Sequence, residues 1–287
     1  MVPDDVSIVI PALNEEAAIG ILVTALREKL PEAQLTVVDD GSTDGTPRLA
    51  ADAGARVISH DRCRGYGASL RSGVTASTRE YVLFCDGDGQ HSVEDVVRLV
   101  AACDDCEMLV GARDSKSHVP FVRAPGKFLL RRFANFLAGE RIPDLNSGLR
   151  IVRKSTLLKY LHLMPPGFSF STTTTMALLK GNHRVQWQPI TVAKRVGKST
   201  VRQWKHGPQT IMLMLRLTVL FEPLKVFLYA AAFLFVLSTA SFVVDLEANK
   251  GFGIGDTTAM LSVSTLLVFL FGLVCDQISA LRREFHA

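Results

Sequence analysis

Over roughly the first 111 residues, short apolar runs rich in β-branched residues alternate with longer stretches of helical periodicity. The strand-like runs fall at 6–10, 35–38, 56–58, 81–85 and 108–110. Helix-like stretches lie between them near 15–29, 44–53, 66–77 and 92–102. Asp44 ahead of Thr46-Pro47, and Ser92 ahead of Asp95, read as helix starts with a cap and an acidic first turn. Short strands alternating with such helices predict βαβ units and a parallel sheet. Open sheets of that kind take ligands beyond the carboxyl ends of their strands. That places 11–15, 39–44 and 86–91 on one rim.

The pattern changes further along. Residues 112–143 are basic and patchily apolar, with Phe128, Leu129, Phe133, Phe136 and Leu137 three to four residues apart, so 127–138 reads as a cationic amphipathic helix. Globular patterning returns from 144 to 192 and ends in strand-like runs at 185–187 and 190–192. A basic run follows, with Lys194, Arg195, Lys198, Arg202, Lys205 and His206. The stretches 226–244 and 257–275 then carry no charged residue at all. At ~1.5 Å per residue each gives roughly 28 Å, the thickness of a hydrocarbon core. The alternative is a pair of buried core helices, but two such runs in tandem are rare in soluble folds. Residues 209–221, bracketed by Pro208 and Pro223 and too short to span, read as an interfacial helix. The expected organisation is a domain at 1–208, a juxtamembrane helix at 209–223 and a two-span hairpin at 224–281.

Composition agrees with this division. Charged residues are 21% of the chain and AVILMFWYC residues 48%, which excludes disordered and collagen-like classes. The mean hydropathy of +0.22 is high for a soluble protein, and the excess sits in 211–281. A net charge of +4 gives no argument for a nucleic-acid partner. The link 245–256 holds Asp245, Glu247 and Asp256 against Lys250, whereas Lys225 and the 194–206 run precede the first span and Arg282 and Arg283 follow the second. By the positive-inside rule both termini face the cytoplasm. The N-terminus has Asp4 and Asp5 where a signal peptide needs cations. Five scattered cysteines in such a chain point to reduced thiols. Cys103 and Cys106 have the spacing of half a zinc site with no second pair, and read as a helix end with two free thiols.

Two acidic turns carry the candidate chemistry. Val37-Val38-Asp39-Asp40-Gly41-Ser42-Thr43-Asp44 ends one strand, and Phe84-Cys85-Asp86-Gly87-Asp88-Gly89-Gln90 ends another. Carboxylates so close repel one another, and a hard divalent cation that also binds phosphate oxygens would relieve the repulsion. The competing explanation is an acidic surface turn, and Asp-x-Asp alone does not decide between them. Gly65-Tyr66-Gly67 imitates a dinucleotide fingerprint but lacks the third glycine and is not the first βα turn. Of the seven histidines only His91 lies near the acidic motif, and it reads as a solvated neighbour.

In order and spacing, Ser7-Ile-Val-Ile-Pro11-Ala-Leu-Asn14-Glu15, Val38 to Thr46, Gly65-Tyr66-Gly67-Ala68 and Asp86-Gly-Asp88-Gly-Gln90 resemble the family 2 glycosyltransferases. Those are inverting enzymes of the GT-A fold (α/β, Rossmann-like, mostly parallel sheet) that use nucleotide-diphosphate sugars. Asp144-Leu-Asn-Ser147-Gly148-Leu149-Arg150, Phe168-Ser-Phe170 and Arg195-Val-Gly197-Lys198-Ser199 look like the polyprenol-phosphate branch, which includes dolichol-phosphate mannose synthase and bacterial polyprenol-phosphate glucosyltransferases. The resemblance implies that Pro11, Leu13, Asn14, Glu15, Asp39 and Asp40 hold the nucleoside. It implies that Asp86, Asp88 and Gln90 hold Mg²⁺ or Mn²⁺. Arg113, Arg132, Arg150, Arg195 and Lys198 would face the acceptor phosphate, with Asp88, Asp144 and Arg150 as the catalytic set and Asp144 as base or orienting group. Leu149 stands where Phe is commoner, and 171–175 is a hydroxyl run where mannose synthases often carry Glu, which leaves the sugar open.

The expected function is transfer of a sugar from a nucleotide donor to a membrane polyprenyl phosphate, undecaprenyl or dolichyl. The enzyme would sit in an inner or plasma membrane, or the endoplasmic reticulum of a eukaryote, with a homo-oligomer implied by the resemblance. Two rival readings are a processive polysaccharide synthase and a non-catalytic scaffold that keeps the domain for binding. The first is weakened by having two spans and no Gln-x-x-Arg-Trp pattern. The second is weakened by the intact Asp86, Asp88 and Gln90.

Overall fold

The computed structural model describes residues 5–103, 107–114, 132, 135–136, 138–167, 169–193, 212–213, 215–216, 218–249 and 253–286. The expected amphipathic helix at 127–138, the basic run 194–206 and half-site cysteine Cys106 therefore lie wholly or mostly outside the described residues, as does part of the expected interfacial helix. The chain divides into two compact units, Met1–Met214 and Leu215–Ala287.

In the first unit β1 (Val6–Ala12), β2 (Gln34–Asp39), β3 (Arg56–Ser59) and β4 (Tyr81–Phe84) alternate with α1 (Ile19–Lys29), α2 (Thr46–Asp52) and α3 (Tyr66–Ala76). Next come α4 (Val93–Ala102), β5 (Met108–Arg113), β6 (Arg150–Arg153), α5 (Lys154–Tyr160), α6 (Phe170–Lys180) and β7 (Val185–Ile190). One seven-stranded sheet results, in the order β3-β2-β1-β4-β6-β5-β7. β1 is wholly buried because β2 and β4 flank it in parallel and helices cover both faces, so its sequence is an unbroken apolar run. Ile8, Ile10, Leu35, Val37 and Leu83 pack with Ile19, Leu22, Val23 and Leu26 of α1 and Val96 and Leu99 of α4. On the opposite face α3 lies on β1 and β2, and Phe84 meets Phe170 of α6 edge-on at 5.6 Å.

The parallel sheet expected from the βαβ pattern holds for β1 to β4. The departure is β6, antiparallel to both β4 and β5, which makes the sheet mixed. Its register sets Arg150 opposite Phe84 and Val110, so the chain re-enters the sheet from the carboxyl-end rim. The run at 185–187 and the start of the run at 190–192 belong to one strand, β7, at the sheet edge, where Pro189 withholds no ladder donor that the sheet needs. α1 starts at Ile19 rather than near 15, because 14–18 turn, with Asn14 at φ 55°. Ser92 caps α4 as expected, accepting from Asp95 N–H at 3.1 Å. Gly45 occupies the cap position of α2, but the Asp44 carboxylate accepts from Thr46 N–H at 3.0 Å. Cys103, at the end of α4, is buried in the core.

In the second unit α7 (Pro223–Asn249) and α8 (Asp256–His286) pair as a hairpin. Both are long and apolar enough to cross a membrane. Phe233, Phe235, Val236, Leu266 and Phe271 stand exposed along them, the arrangement expected where the solvent is hydrocarbon. Small residues bring the helices together. A β-carbon on Gly272 would lie 2.6 Å from Phe227 Cβ, and the Ser238 and Ser262 hydroxyls meet at 2.8 Å. At the turn, Asp245 accepts from Gly255 N–H at 2.8 Å and from the Thr258 hydroxyl at 2.7 Å, satisfying orphan donors at the start of α8.

Candidate active site

The rim at the carboxyl ends of β1, β2, β4 and β5 gathers the acidic turns, and the return segment 144–150 closes it. Two residues expected to touch a nucleoside take part in building the rim. Asn14 joins the first turn to the second: its side-chain oxygen accepts from Thr43 N–H at 2.9 Å, and its own N–H donates to Ser42 Oγ at 2.9 Å. Asp40 is 4% exposed and accepts from His60 Nδ1 (2.7 Å), Cys63 Sγ (3.2 Å), Arg64 N–H (2.9 Å) and Gly65 N–H (2.8 Å). Burial works to raise its pKa, but these donors prevail and hold it below the usual carboxylate range. The expectation of a nucleoside contact at Asp40 is corrected: its lone pairs are spent on the 60–65 loop. Neighbouring Asp39 faces the other way, one oxygen accepting from Ser42 N–H at 3.1 Å. Pro11 is buried at the end of β1, and Leu13 and Glu15 are half-buried beyond it. Glu15 N–H is held by Thr46 Oγ1 at 2.9 Å.

The second acidic turn is more tightly framed. Asp86 Oδ1 accepts from the Tyr66 hydroxyl at 2.8 Å. Burial, together with the Asp86 charge, keeps that phenol well above its ordinary pKa, so it remains a donor. Gly148 backs against the same carboxylate, since a β-carbon there would overlap Asp86 Oδ2. Asp88 is 6% exposed and accepts from Gln90 N–H at 3.1 Å, across a turn that Gly89 makes at φ +69°. Gln90 pairs with Ala193 twice, through Nε2 to the carbonyl and through its own carbonyl to Ala193 N–H, both at 3.0 Å. Ala193 thus fixes where the chain leaves the described rim; Arg195 and Lys198 lie just beyond, outside the described residues.

His91 is 7% exposed, not solvated, and its Nε2 stands 3.8 Å from Asp86 Oδ2 while its Nδ1 has no hydrogen-bond partner. The sequence signal for it was adjacency to the motif; what misled was the general solvation of loop histidines. Tyr66 stands between Gly65 and Gly67, and nothing in that triplet marks its hydroxyl as a partner of Asp86. Gly65 and Gly67 serve close packing: a β-carbon at Gly67 would overlap Pro165 O, and Ala68 N–H donates to Pro166 O at 3.0 Å. No phosphate cradle is formed there.

The expected acceptor cations are placed unequally. Arg113 forms a fork on Asp144, Nε to Oδ2 at 2.6 Å and Nη2 to Oδ1 at 2.7 Å. Burial would raise the Asp144 pKa, but the Arg113 bonds and charge overcome it and lower the value. Asp144 is therefore an ionised partner of Arg113, suited to orienting and not to taking a proton. Arg150 departs most from expectation. It is 1% exposed, with Nη1 donating to Ser171 O at 2.8 Å and Thr175 Oγ1 at 3.1 Å and the rest of the guanidinium donating to Ser147 O. Burial pulls its pKa down to about 10, against Tyr66, Asp144 and Asp86. It fastens the 144–150 segment to α6 and presents no face to an acceptor. Arg132 is exposed.

The donor set of the second turn, two carboxylates and an amide, suits a hard divalent cation. Among the described residues no three His, Cys, Asp or Glu side chains converge tightly enough to hold an ion by themselves. A cation held there would take its remaining positions from ligand oxygens, as is usual for Mg²⁺ bound with substrate phosphates.

Residues 7–161 match the glycosyl transferase family 2 model, and 222–281 match the GtrB C-terminal hairpin. A dolichyl-phosphate hexose transferase of Haloferax volcanii is 31% identical over 71% of this chain and 90% of that protein. The low-salt glycan biosynthesis hexosyltransferase Agl6 of the same organism is 27% identical over 73% of this chain, which spans about half, 52%, of that longer protein. Among solved structures, glucosyl-3-phosphoglycerate synthase from Mycobacterium tuberculosis, in complex with Mn²⁺, uridine-diphosphate and phosphoglyceric acid, superposes with a TM-score of 0.61. It covers 74% of this chain and 78% of that one at 21% identity, a likeness of fold.

Proposed function

Because the chain belongs to glycosyl transferase family 2, we propose that it transfers a sugar from a nucleotide-diphosphate sugar to a polyprenyl phosphate in the membrane. The observation that carries this reading is the pairing, in one chain, of a family 2 domain bearing the Asp86-Gly-Asp88-Gly-Gln90 turn with a GtrB-type hairpin. The Haloferax dolichyl-phosphate hexose transferase, matched over most of its length, supports the same acceptor class. A long isoprenoid keeps its phosphate at headgroup level, and two membrane spans hold the enzyme at that surface.

In this reaction an acceptor phosphate oxygen bonds to the anomeric carbon as the bond to the donor diphosphate breaks, and the nucleoside diphosphate leaves with the electron pair. The acceptor is already anionic at neutral pH, so no strong base is needed. That suits an Asp144 held ionised by Arg113. Asp39 and the 11–15 turn would take the nucleoside. Asp86, Asp88 and Gln90 would hold Mg²⁺ or Mn²⁺, which when bound would offset charge on the leaving diphosphate. Arg195 and Lys198, which follow from Ala193 beside Gln90, would meet the acceptor phosphate with Arg132. The domain organisation that fits this role is a cytoplasmic 1–208, a surface-lying 209–223 and a spanning 224–281.

The test is the full chain in lipid nanodiscs with a panel of uridine and guanosine diphosphate sugars and a short polyprenyl phosphate. One lipid-linked sugar per acceptor, released with the nucleoside diphosphate and suppressed by EDTA, is the expected product. A growing polymer would point to a synthase, and no turnover with any donor to a binding scaffold.

A further inference from the structure

The uncharged run of α8 ends at a carboxylate. Residues 257–275 carry no charge, and Asp276 follows them directly, half-buried, inside the stretch Asp256–Leu281 that is long and apolar enough to span. No side chain among the described residues bonds or pairs with it. An ionisable group kept in a spanning helix is expensive and points to a partner or a ligand. Asp276 opens onto a cavity of about 400 Å³ beside the start of α7. Phe221, Leu224 and Leu228 form its apolar wall, and Glu222, Lys225 and Asp276 bring charge to it. Lys225 Nζ stands 4.0 Å from Glu222 Oε2, so opposite charges lie side by side there. The walls are tied together: Ser279 Oγ donates to Leu220 O at 2.8 Å, and Gly272 lets α8 approach Phe227 of α7. The cavity lies at the end of the hairpin away from its turn, where the uncharged runs give out and headgroups would stand.

These features select among lipids. The apolar wall suits an acyl chain. One ammonium and two carboxylates leave the site with a formal excess of negative charge, which repels a headgroup that is only an anion, the polyprenyl phosphate included. A headgroup that carries both charges fits, its phosphate beside Lys225 and its cation beside Asp276 and Glu222. That cation must be a primary ammonium to donate hydrogen bonds to the carboxylates, since a quaternary one has no N–H. We infer that this end of the hairpin binds one aminophospholipid, phosphatidylethanolamine, between the start of α7 and Asp276 of α8. The inference rests on the hairpin lying in a bilayer and not on the transfer reaction.

The experiment is native mass spectrometry of the full chain released from nanodiscs of phosphatidylethanolamine, phosphatidylcholine and phosphatidylglycerol in equal parts. One phosphatidylethanolamine per chain should be retained, preferred about tenfold over either other lipid, the size of effect one charge-assisted hydrogen bond supplies. Asp276→Asn should remove the preference over phosphatidylcholine, and Lys225→Gln should weaken retention of both zwitterionic lipids. Glu247→Gln, which loses a carboxylate at the other end of the hairpin, should change neither. Equal retention of the three lipids by the wild type, or a preference for phosphatidylglycerol, overturns the inference. A preference that survives Asp276→Asn places the lipid elsewhere and overturns it too. So does a dimer that retains no lipid, which would make a second copy the occupant. Should Asp276→Asn not fold, the wild type and Lys225→Gln decide.

Discussion

Arg150 is a cation held by carbonyl dipoles. Its guanidinium reaches Ser147 O, Ser171 O and Thr175 Oγ1, an array that only a planar fork of donors can span. Arg150→Lys keeps the charge but places one nitrogen where three were needed, leaving buried acceptors bare. We expect it to lower stability by ~2–3 kcal/mol, a fall in Tm of roughly 5–10 °C for a domain of this size, read by thermal unfolding in detergent. Lost transfer at an unchanged Tm would instead put Arg150 against substrate. The acid limb of stability is set by other residues. Asp40 and Asp144 both have folded pKa values below the ordinary carboxylate. A depressed carboxylate contributes stability that is present above its unfolded pKa of ~3.9 and is lost as pH falls through the lower folded value. Urea midpoints should therefore hold steady down to about pH 4 and then drop. In Asp144→Asn the midpoint should be lower at neutral pH and its acid decline shallower, because one of the carboxylates that take up a proton on acid unfolding is removed. An acid decline as steep as the wild type would mean the Arg113 pair does not govern it.

Helix packing turns on single methyl groups. A β-carbon at Gly73 in α3 would overlap Val9 Cγ1 of β1, whereas at Gly20 in α1 the nearest atoms, both of Leu49, are 3.9 Å away. Gly73→Ala should thus destabilise by ~1–3 kcal/mol through overpacking, and Gly20→Ala should stabilise by ~0.4–1 kcal/mol through reduced unfolded-state entropy. Opposite shifts in Tm check the pair; a neutral Gly73→Ala would mean that α3 rides away from the sheet at little expense. The same contrast explains what could be read beforehand. Buried parallel strands leave continuous apolar runs, so β1, β2 and β4 and the rim they define were legible. The strand β6 was not, because Arg150–Arg153 has charged ends and is set into the sheet by neighbours far away in sequence. Nor could sequence separate Asp39 from Asp40, identical neighbours that strand alternation points to opposite faces, one to the Ser42 turn and one to the His60 loop. Arg150 misled for a related reason: an arginine within a family motif reads as a substrate contact, and the carbonyls that bury it come from α6.

At the scale of the whole molecule, the distribution of charge argues for one orientation of the hairpin in a membrane. Asp245 and Glu247 in the last turns of α7 and Asp256 at the start of α8 stand against Lys250 at this end of the hairpin, while cations lie at 194–206 before the first helix and at 282–283 near the end of the second. Asp245 is engaged at the turn, bonded to Gly255 N–H and Thr258, so its charge stays with the link. Moving cationic flanks through a bilayer is what the positive-inside rule disfavours, so the orientation we propose has the acidic end of the hairpin outside and both flanks in the cytoplasm. The chemistry requires the same direction, because nucleotide sugars are made in the cytosol and do not cross the membrane unaided. With the five native cysteines replaced, a cysteine at Asn249 should react with an impermeant thiol reagent in intact cells, and one at Ser115 only after permeabilisation. The reverse labelling would put the acidic rim on the side that lacks donor. The proposed transfer would then need either exported nucleotide sugars or a different donor, and the orientation argued from charge would be wrong.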